Sequence, residues 1–87
     1  MKYSVIAKKN CPFCKGAINL LRDNMESGDE LRISYEGEDF SRTDFKDKFG
    51  KDATYPRIYF NSKFIGGCDD LHDLLKRWLI QHFYIII

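Results

Sequence analysis

The sequence predicts an α/β domain with element order β-α-β-α-β-β-α: a four-stranded mixed sheet with helices on both faces. Three observations carry this expectation. An apolar strand near the start of the chain runs into an amphipathic helix, a second strand follows after one crossover length, and a strand-turn-strand segment precedes a long helical stretch. A crossover makes the first two strands parallel and a tight turn makes the last two antiparallel, so the sheet is mixed.

Tyr3-Ser4-Val5-Ile6-Ala7 reads as a short buried strand. From Pro12 onward Cys14, Ala17, Ile18, Leu21 and Met25 recur at the spacing of one helical face. Proline suits the first helical position, where its missing N–H costs nothing, so Cys11 falls at the N-cap and Cys14 one turn inside. Ser27-Gly28-Asp29 supplies turn chemistry, and the alternation Leu31, Ile33, Tyr35 marks a half-buried strand within Glu30–Glu36. Gly37 to Phe40 is a polar loop. Ser41 followed three residues later by Asp44 resembles a capping box, opening a helix with Phe45 and Phe49 inside and Gly50 as its stop. Arg42, Asp44, Lys46, Asp47 and Lys48 read as that helix's solvated face.

Arg57–Phe60 and Lys63–Ile65 form a hairpin around Asn61-Ser62 that ends in Gly66-Gly67. Pro56 stands directly before it, a position proline tolerates; only about one X-Pro bond in twenty is cis, so its isomer is not legible from local sequence. Leu71, Leu74, Leu75, Trp78, Leu79 and His82 fall at helical spacing, with Asp69 or Asp70 as N-cap. The apolar tail Phe83–Ile87 reads either as packing back on the sheet, the favoured reading, or as a contact or anchor patch.

The 87 residues suffice for a single domain, 1–87, with a modest core. Apolar residues at 44% and charged residues at 31% describe an ordinary globular chain. Fourteen basic and thirteen acidic residues leave a net charge of +1, which supplies no bulk attraction to nucleic acid or an anionic membrane. No stretch approaches the roughly 20 apolar residues of a membrane span. Three cysteines, an odd number, make no disulfide framework, and the sequence opens on no signal peptide, so a reducing, cytoplasmic setting is expected. A monomer is expected, with neither nucleic acid nor membrane as partner.

The chemistry concentrates in Cys11-Pro12-Phe13-Cys14. At a helix mouth, unpaired N–H groups and the positive dipole end stabilise a thiolate on Cys11, and Lys8 and Lys9 add charge nearby. Its pKa is therefore expected below the free-thiol value of about 8.5. Cys14, one turn on, lies on the same face and within reach to close a small disulfide ring. A C-x-x-C pair after a strand and opening a helix reads as a redox motif. The competing reading is zinc, since Cys68 and His72 supply a further C-x-x-x-H pair; but the gap between the pairs is far longer than in compact zinc modules, and no metal is expected. His72 and His82 read as packing or solvated histidines.

Cys-Pro-Phe-Cys after the first strand, Thr54-Tyr55-Pro56 before the hairpin and Gly66-Gly67-Cys68-Asp69-Asp70 at the last helix start appear in one order and spacing. In this the chain resembles the glutaredoxins, over nearly its whole length except the apolar tail. It departs from their dithiol members at Phe13, usually tyrosine, and at Tyr55, often valine; both positions border the substrate. The resemblance implies the thioredoxin fold and a glutathione-dependent thiol-disulfide oxidoreductase with Cys11 as nucleophile and Cys14 as resolving thiol. It implies that Pro56 is the family's cis-proline and that the Tyr55 backbone, beside Thr54, pairs with the cysteinyl residue of glutathione. Gly67, Cys68, Asp69 and Asp70 match the segment receiving the γ-glutamyl end, with Cys68 contributing through its backbone. Lys8 is the partner for the glycine carboxylate, and Arg42 or Arg57 supplies a second cation. Glutathione is then the reductant, regenerated by a reductase, and clients are disulfide-containing proteins, ribonucleotide reductase among them. Three alternatives remain at this stage: a donor recharged by a thioredoxin reductase, an iron-sulfur carrier ligated by Cys11 and glutathione across a dimer, and a structural zinc module.

Overall fold

A computed structural model describes the backbone of residues 1–86 and the side chains of residues 1–77. Its elements are β1 (Lys2–Ala7), α1 (Pro12–Asn24), β2 (Glu30–Tyr35), α2 (Arg42–Phe49), β3 (Arg57–Phe60), β4 (Lys63–Gly66) and α3 (Cys68–Ile86). They form one four-stranded sheet in the order β2-β1-β3-β4. β1 runs parallel to β2, with Val5 beside Ile33, and antiparallel to β3, with Val5 beside Ile58; β3 and β4 are antiparallel. This is the mixed sheet expected from one crossover and one hairpin.

Strand alternation then decides which helix lies where. Val5, Ala7 and Ile58 project to one face and are buried in one cluster with Ala17, Ile18 and Leu21 of α1 and Leu71 of α3. Ile6 and Ser34, one position out of phase, border a cavity on the opposite face with Phe45 and Phe49 of α2. Phe45 is 2% exposed. Its ring stacks on Tyr55 at 4.2 Å and lies 5.1 Å from Phe49 and 6.0 Å from Phe40, an aromatic cluster that holds α2 against the sheet.

The helix and turn signals act as local chemistry requires. Ser41 Oγ accepts the Asp44 N–H at 3.0 Å, and Gly50, at φ 102°, donates its N–H to Lys46 O at 2.8 Å. Asn61 and Ser62 take φ values of 49° and 70°, the left-handed pair of a two-residue hairpin turn. Asn61 also ties the hairpin to β1, donating its N–H to Lys2 O and accepting the Lys2 N–H on Oδ1, both at 2.8 Å.

Two boundaries differ from expectation. α1 ends at Asn24, and Met25 is its extended, half-buried C-cap rather than a member of the helical face. α3 begins at Cys68, so its N-cap is Gly67 and neither aspartate caps it. Asp70 stands one turn inside and its Oδ2 accepts the Gly67 N–H at 2.9 Å, the reach-back half of a capping box. The backbone of α3 runs on to Ile86; the packing expected of Trp78, Leu79, His82 and the Phe83–Ile87 tail lies outside the described side chains. Among the described residues no helix is long and apolar enough to cross a membrane.

Truncating Phe45 to alanine empties the centre of the α2 cluster. The expected loss of stability is about 3–5 kcal/mol, read as a fall in the urea midpoint at unchanged m-value.

Candidate active site

Cys11 has the extended backbone of an N-cap, φ −117° and ψ 103°, and Pro12 follows at the first helical position. The Cys14 N–H donates to Cys11 Sγ at 3.2 Å and the Lys15 N–H to Cys11 O at 3.0 Å, so two orphan donors of the first turn converge on one residue. Cys11 and Cys14 are joined as a disulfide, with Cα atoms 5.2 Å apart. Their environments differ sharply. Cys14 is 2% exposed and belongs to the core cluster, whereas Cys11 is only partly buried and packs against that cluster from outside. Phe13 between them is 65% exposed.

Three close approaches bring the other motif segments to this helix mouth. The Tyr55–Pro56 peptide is cis and Pro56 is buried; a Cβ on Gly67 would stand 3.7 Å from Pro56 O, so α3 starts directly against this loop. A Cβ on Gly16 would lie 3.9 Å from Cys68 Sγ, which places the start of α3 beside the second turn of α1. Lys8 Nζ lies 5.5 Å from the Tyr55 ring centre, linking the segment before Cys11 to the same loop. Gly66, at φ 131°, has the Asp70 side chain folded where its Cβ would be, so glycine is required there on both conformational and steric grounds. Thr54, Asp69 and Asp70 are exposed around these contacts, and Gly67 and Cys68 are partly buried.

Several side chains have more definite settings than sequence conveyed. The Tyr55 ring turns into the α2 cluster between Phe45 and Lys8. Its hydroxyl is buried without a partner in ordinary hydrogen-bond geometry; burial first, then the neighbouring Glu36 carboxylate, pushes the phenol up to about 12. Burial and then the Asp69 carboxylate raise the Cys68 thiol above its ordinary value, which keeps it protonated and a poor nucleophile. The Arg57 guanidinium is sandwiched between the Phe49 and Phe64 rings, 4.1 Å from each centre, and its Nε donates to Tyr59 Oη at 3.2 Å. Arg42 is the exposed one of the two arginines. Lys9 is ion-paired with Glu38.

Among the described residues no three His, Cys, Asp or Glu side chains converge into a group suited to a metal ion, and Cys68 and His72 form none with the Cys11–Cys14 pair. A cleft of about 810 Å³ opens beside the disulfide along α1, and Lys8, Cys11 and Cys14 are the only residues named above as site candidates that line it. Its other walls include Lys15, Ile18, Arg22 and Tyr35. Residues 11, 15, 18 and 22 follow one another at helical spacing, a signal present in the sequence and not read there as a site.

No family model matches the chain. It is 36% identical to glutaredoxin 3 of Escherichia coli K12 over 73 residues, covering 84% of each chain. It is 35% identical to glutaredoxin-1 of Gallus gallus over 77 residues, covering 84% of this chain and 72% of the other. Among solved structures it resembles a dithiolic glutaredoxin from Trypanosoma brucei brucei with a TM-score of 0.69 at 27% identity, covering 86% of this chain and 77% of that one.

The buried phenol gives a pH signature. With a folded pKa raised from 10 to about 12, the Tyr55 contribution is intact below pH 10 and is lost as pH climbs through the interval to about 12, where only the unfolded chain ionises. Tyr55→Phe is expected to flatten that part of the stability profile. It should also raise stability at neutral pH by about 1 kcal/mol, because a buried hydroxyl without a partner is removed. Denaturation midpoints at pH 7 and between pH 9.5 and 12 check both.

Proposed function

Because this chain belongs to the glutaredoxin family and is a thiol-disulfide oxidoreductase, we propose that it takes its electrons from glutathione, with Cys11 as nucleophile and Cys14 as resolving thiol. The observation that carries the assignment of roles is the unequal exposure of two bonded sulfurs: Cys14 is 2% exposed and Cys11 stands at the surface end of the pair. An attacking sulfur must be reached in line by a bulky disulfide, and a buried one cannot be.

In the reduced protein the Cys11 thiolate, favoured by the helix-start N–H groups, attacks one sulfur of a client disulfide. A Cys11–client bond forms, the client S–S bond breaks, and the departing thiolate takes up a proton. Cys14, deprotonated, attacks Cys11 Sγ; the internal disulfide forms and the second client sulfur leaves as a thiol. A first glutathione thiolate opens the internal disulfide at Cys11, returning Cys14 to a thiol. A second attacks the glutathione sulfur on Cys11, releasing oxidised glutathione and the reduced enzyme. The balance is one client disulfide and two glutathiones converted to a client dithiol and one oxidised glutathione. With a glutathione mixed disulfide as substrate, Cys11 takes the glutathionyl group directly and Cys14 is not required.

For glutathione itself, the Tyr55 backbone between Thr54 and Pro56 offers strand-like pairing to the cysteinyl residue. The γ-glutamyl end sits at the start of α3, where Gly67 and Cys68 present backbone and Asp69 and Asp70 face its ammonium. Lys8, with Arg42 as the exposed second cation, answers the glycine carboxylate, and Phe13 covers the approach. The proximity of Pro56 to Gly67 and of Lys8 to Tyr55 supports one continuous binding surface. We further propose a cytoplasmic monomer of one domain acting on disulfide-containing proteins, with ribonucleotide reductase as a client of the expected kind.

Cys11→Ser is expected to abolish all activity. Cys14→Ser should keep the rate on a glutathione mixed disulfide within about threefold, while reduction of a protein disulfide falls at least about tenfold. Assays coupled to glutathione reductase and, separately, to thioredoxin reductase check this; equal losses on both substrates, or turnover only with thioredoxin reductase, overturn the reading. Asp70→Ala is expected to raise the KM for glutathione and, since its reach-back bond to the Gly67 N–H is lost, to lower stability by about 1 kcal/mol.

A further inference from the structure

Beyond Lys8, Cys11 and Cys14, the lining of the cleft along α1 is not called on by the exchange chemistry. Cys11, Lys15, Ile18 and Arg22 succeed one another along one line of the helix, so the cleft is a track that begins at the reactive sulfur. At about 1.5 Å per residue the line from Cys11 to Arg22 is about 16 Å long, the span of about five residues of extended peptide. Ile18 and Tyr35 give it an apolar floor, and no residue of Thr54–Pro56 or Gly67–Asp70 lines it.

Its charge is lopsided. Lys8, Lys9, Lys15 and Arg22 face a single carboxylate, Glu38, and Glu38 is held by Lys9. The nearby Asp39 is occupied in accepting the Tyr35 N–H at 2.7 Å. Among the described residues neither Lys15 nor Arg22 has a carboxylate within ion-pair distance. The cleft thus carries a net +3 in a chain whose total is +1, a local field in a protein with almost none overall. A concave wall of one sign concentrates field lines and draws in the opposite charge.

We propose that this track docks an acidic segment of the client polypeptide, adjacent to the client cysteine, and so selects among disulfides before sulfur exchange. Lys15 and Arg22 meet client carboxylates and Ile18 and Tyr35 meet an apolar client side chain. Glutathione, a tripeptide seated on the Pro56 and Gly67 side, meets the cleft only at its Lys8 and Cys11 end and leaves Lys15, Ile18 and Arg22 free. The inference rests on the reading of Cys11 as the attacking sulfur but is tested apart from it.

Two eleven-residue peptides serve as probes, each with a central cysteine carried as its glutathione mixed disulfide, flanked by four aspartates in one and four lysines in the other; serine versions report binding without chemistry. With the wild-type protein the acidic peptide is expected to be reduced with a kcat/KM at least about tenfold above the basic one in 20 mM salt, the ratio shrinking to about threefold or less in 0.5 M salt. The acidic serine peptide should bind the oxidised protein more tightly by a similar ratio in fluorescence anisotropy. The double variant Lys15→Glu/Arg22→Glu should reverse the preference while its rate on the glutathione mixed disulfide of cysteamine stays at the wild-type value. Lys15→Gln/Arg22→Gln, which leaves helix propensity and fold untouched, should abolish it. Equal binding of the two serine peptides by the wild-type protein, or a preference unchanged in the charge-reversed variant, overturns the proposal. Selective binding of the acidic serine peptide by a wild-type protein that fails to reduce any glutathione mixed disulfide supports the track and refutes the glutathione reading instead.

Discussion

The donation of the Cys14 N–H to Cys11 Sγ at 3.2 Å is the interaction on which the functional arrangement depends. It makes one sulfur the cap of a helix while the other is the first residue of that helix's buried face. Helix geometry then does two things at once: the first-turn N–H groups converge on the outer residue, and the inner sulfur is buried in the core. The same turn that stabilises the helix gives the two sulfurs unequal exposure.

The Tyr55–Pro56 loop beside the sulfurs is held by packing from the opposite face of the sheet. Tyr55 belongs to the aromatic cluster of α2, and its stacking on Phe45 at 4.2 Å anchors the loop that presents Pro56 to the start of α3. α2 contributes no residue to the sulfur chemistry, yet its core sets the position of the loop that flanks it. Arg57, clasped by Phe49 and Phe64, extends this cluster across β3 and β4 and is thereby withdrawn from the exposed cations available to an anionic ligand.

α1 presents two further surfaces beyond its core face. Toward α3 it carries Gly16, whose missing side chain admits the Cys68 region closely. Toward β2 it carries Lys15 and Arg22 along a cleft open to solvent. The two surfaces differ in kind: one is a close backbone approach to the start of α3, the other a concave wall rich in cations.

The periodicities of this chain were enough to establish the order of its elements, the mixed sheet, the N-cap position of Cys11 and the Asn61-Ser62 hairpin, because each follows from interactions within a few residues. The Cys-Pro-Phe-Cys, Thr-Tyr-Pro and Gly-Gly-Cys-Asp-Asp motifs together were enough to indicate the family. Local sequence could not place the N-cap of α3: Asp69 and Asp70 both satisfy the local rule, yet α3 begins at Cys68 with Gly67 before it. Nor could it separate Arg42 from Arg57, or stack the Tyr55 ring on Phe45, because those outcomes depend on rings brought together from α2, β3 and β4. The cleft beside Cys11 belongs to the same class: its cations lie at helical spacing in the sequence, but a concavity exists only once β2 forms the opposite wall. Short-range hydrogen bonding is encoded locally and can be read locally, whereas the choice among equivalent side chains is made by which distant surfaces they meet.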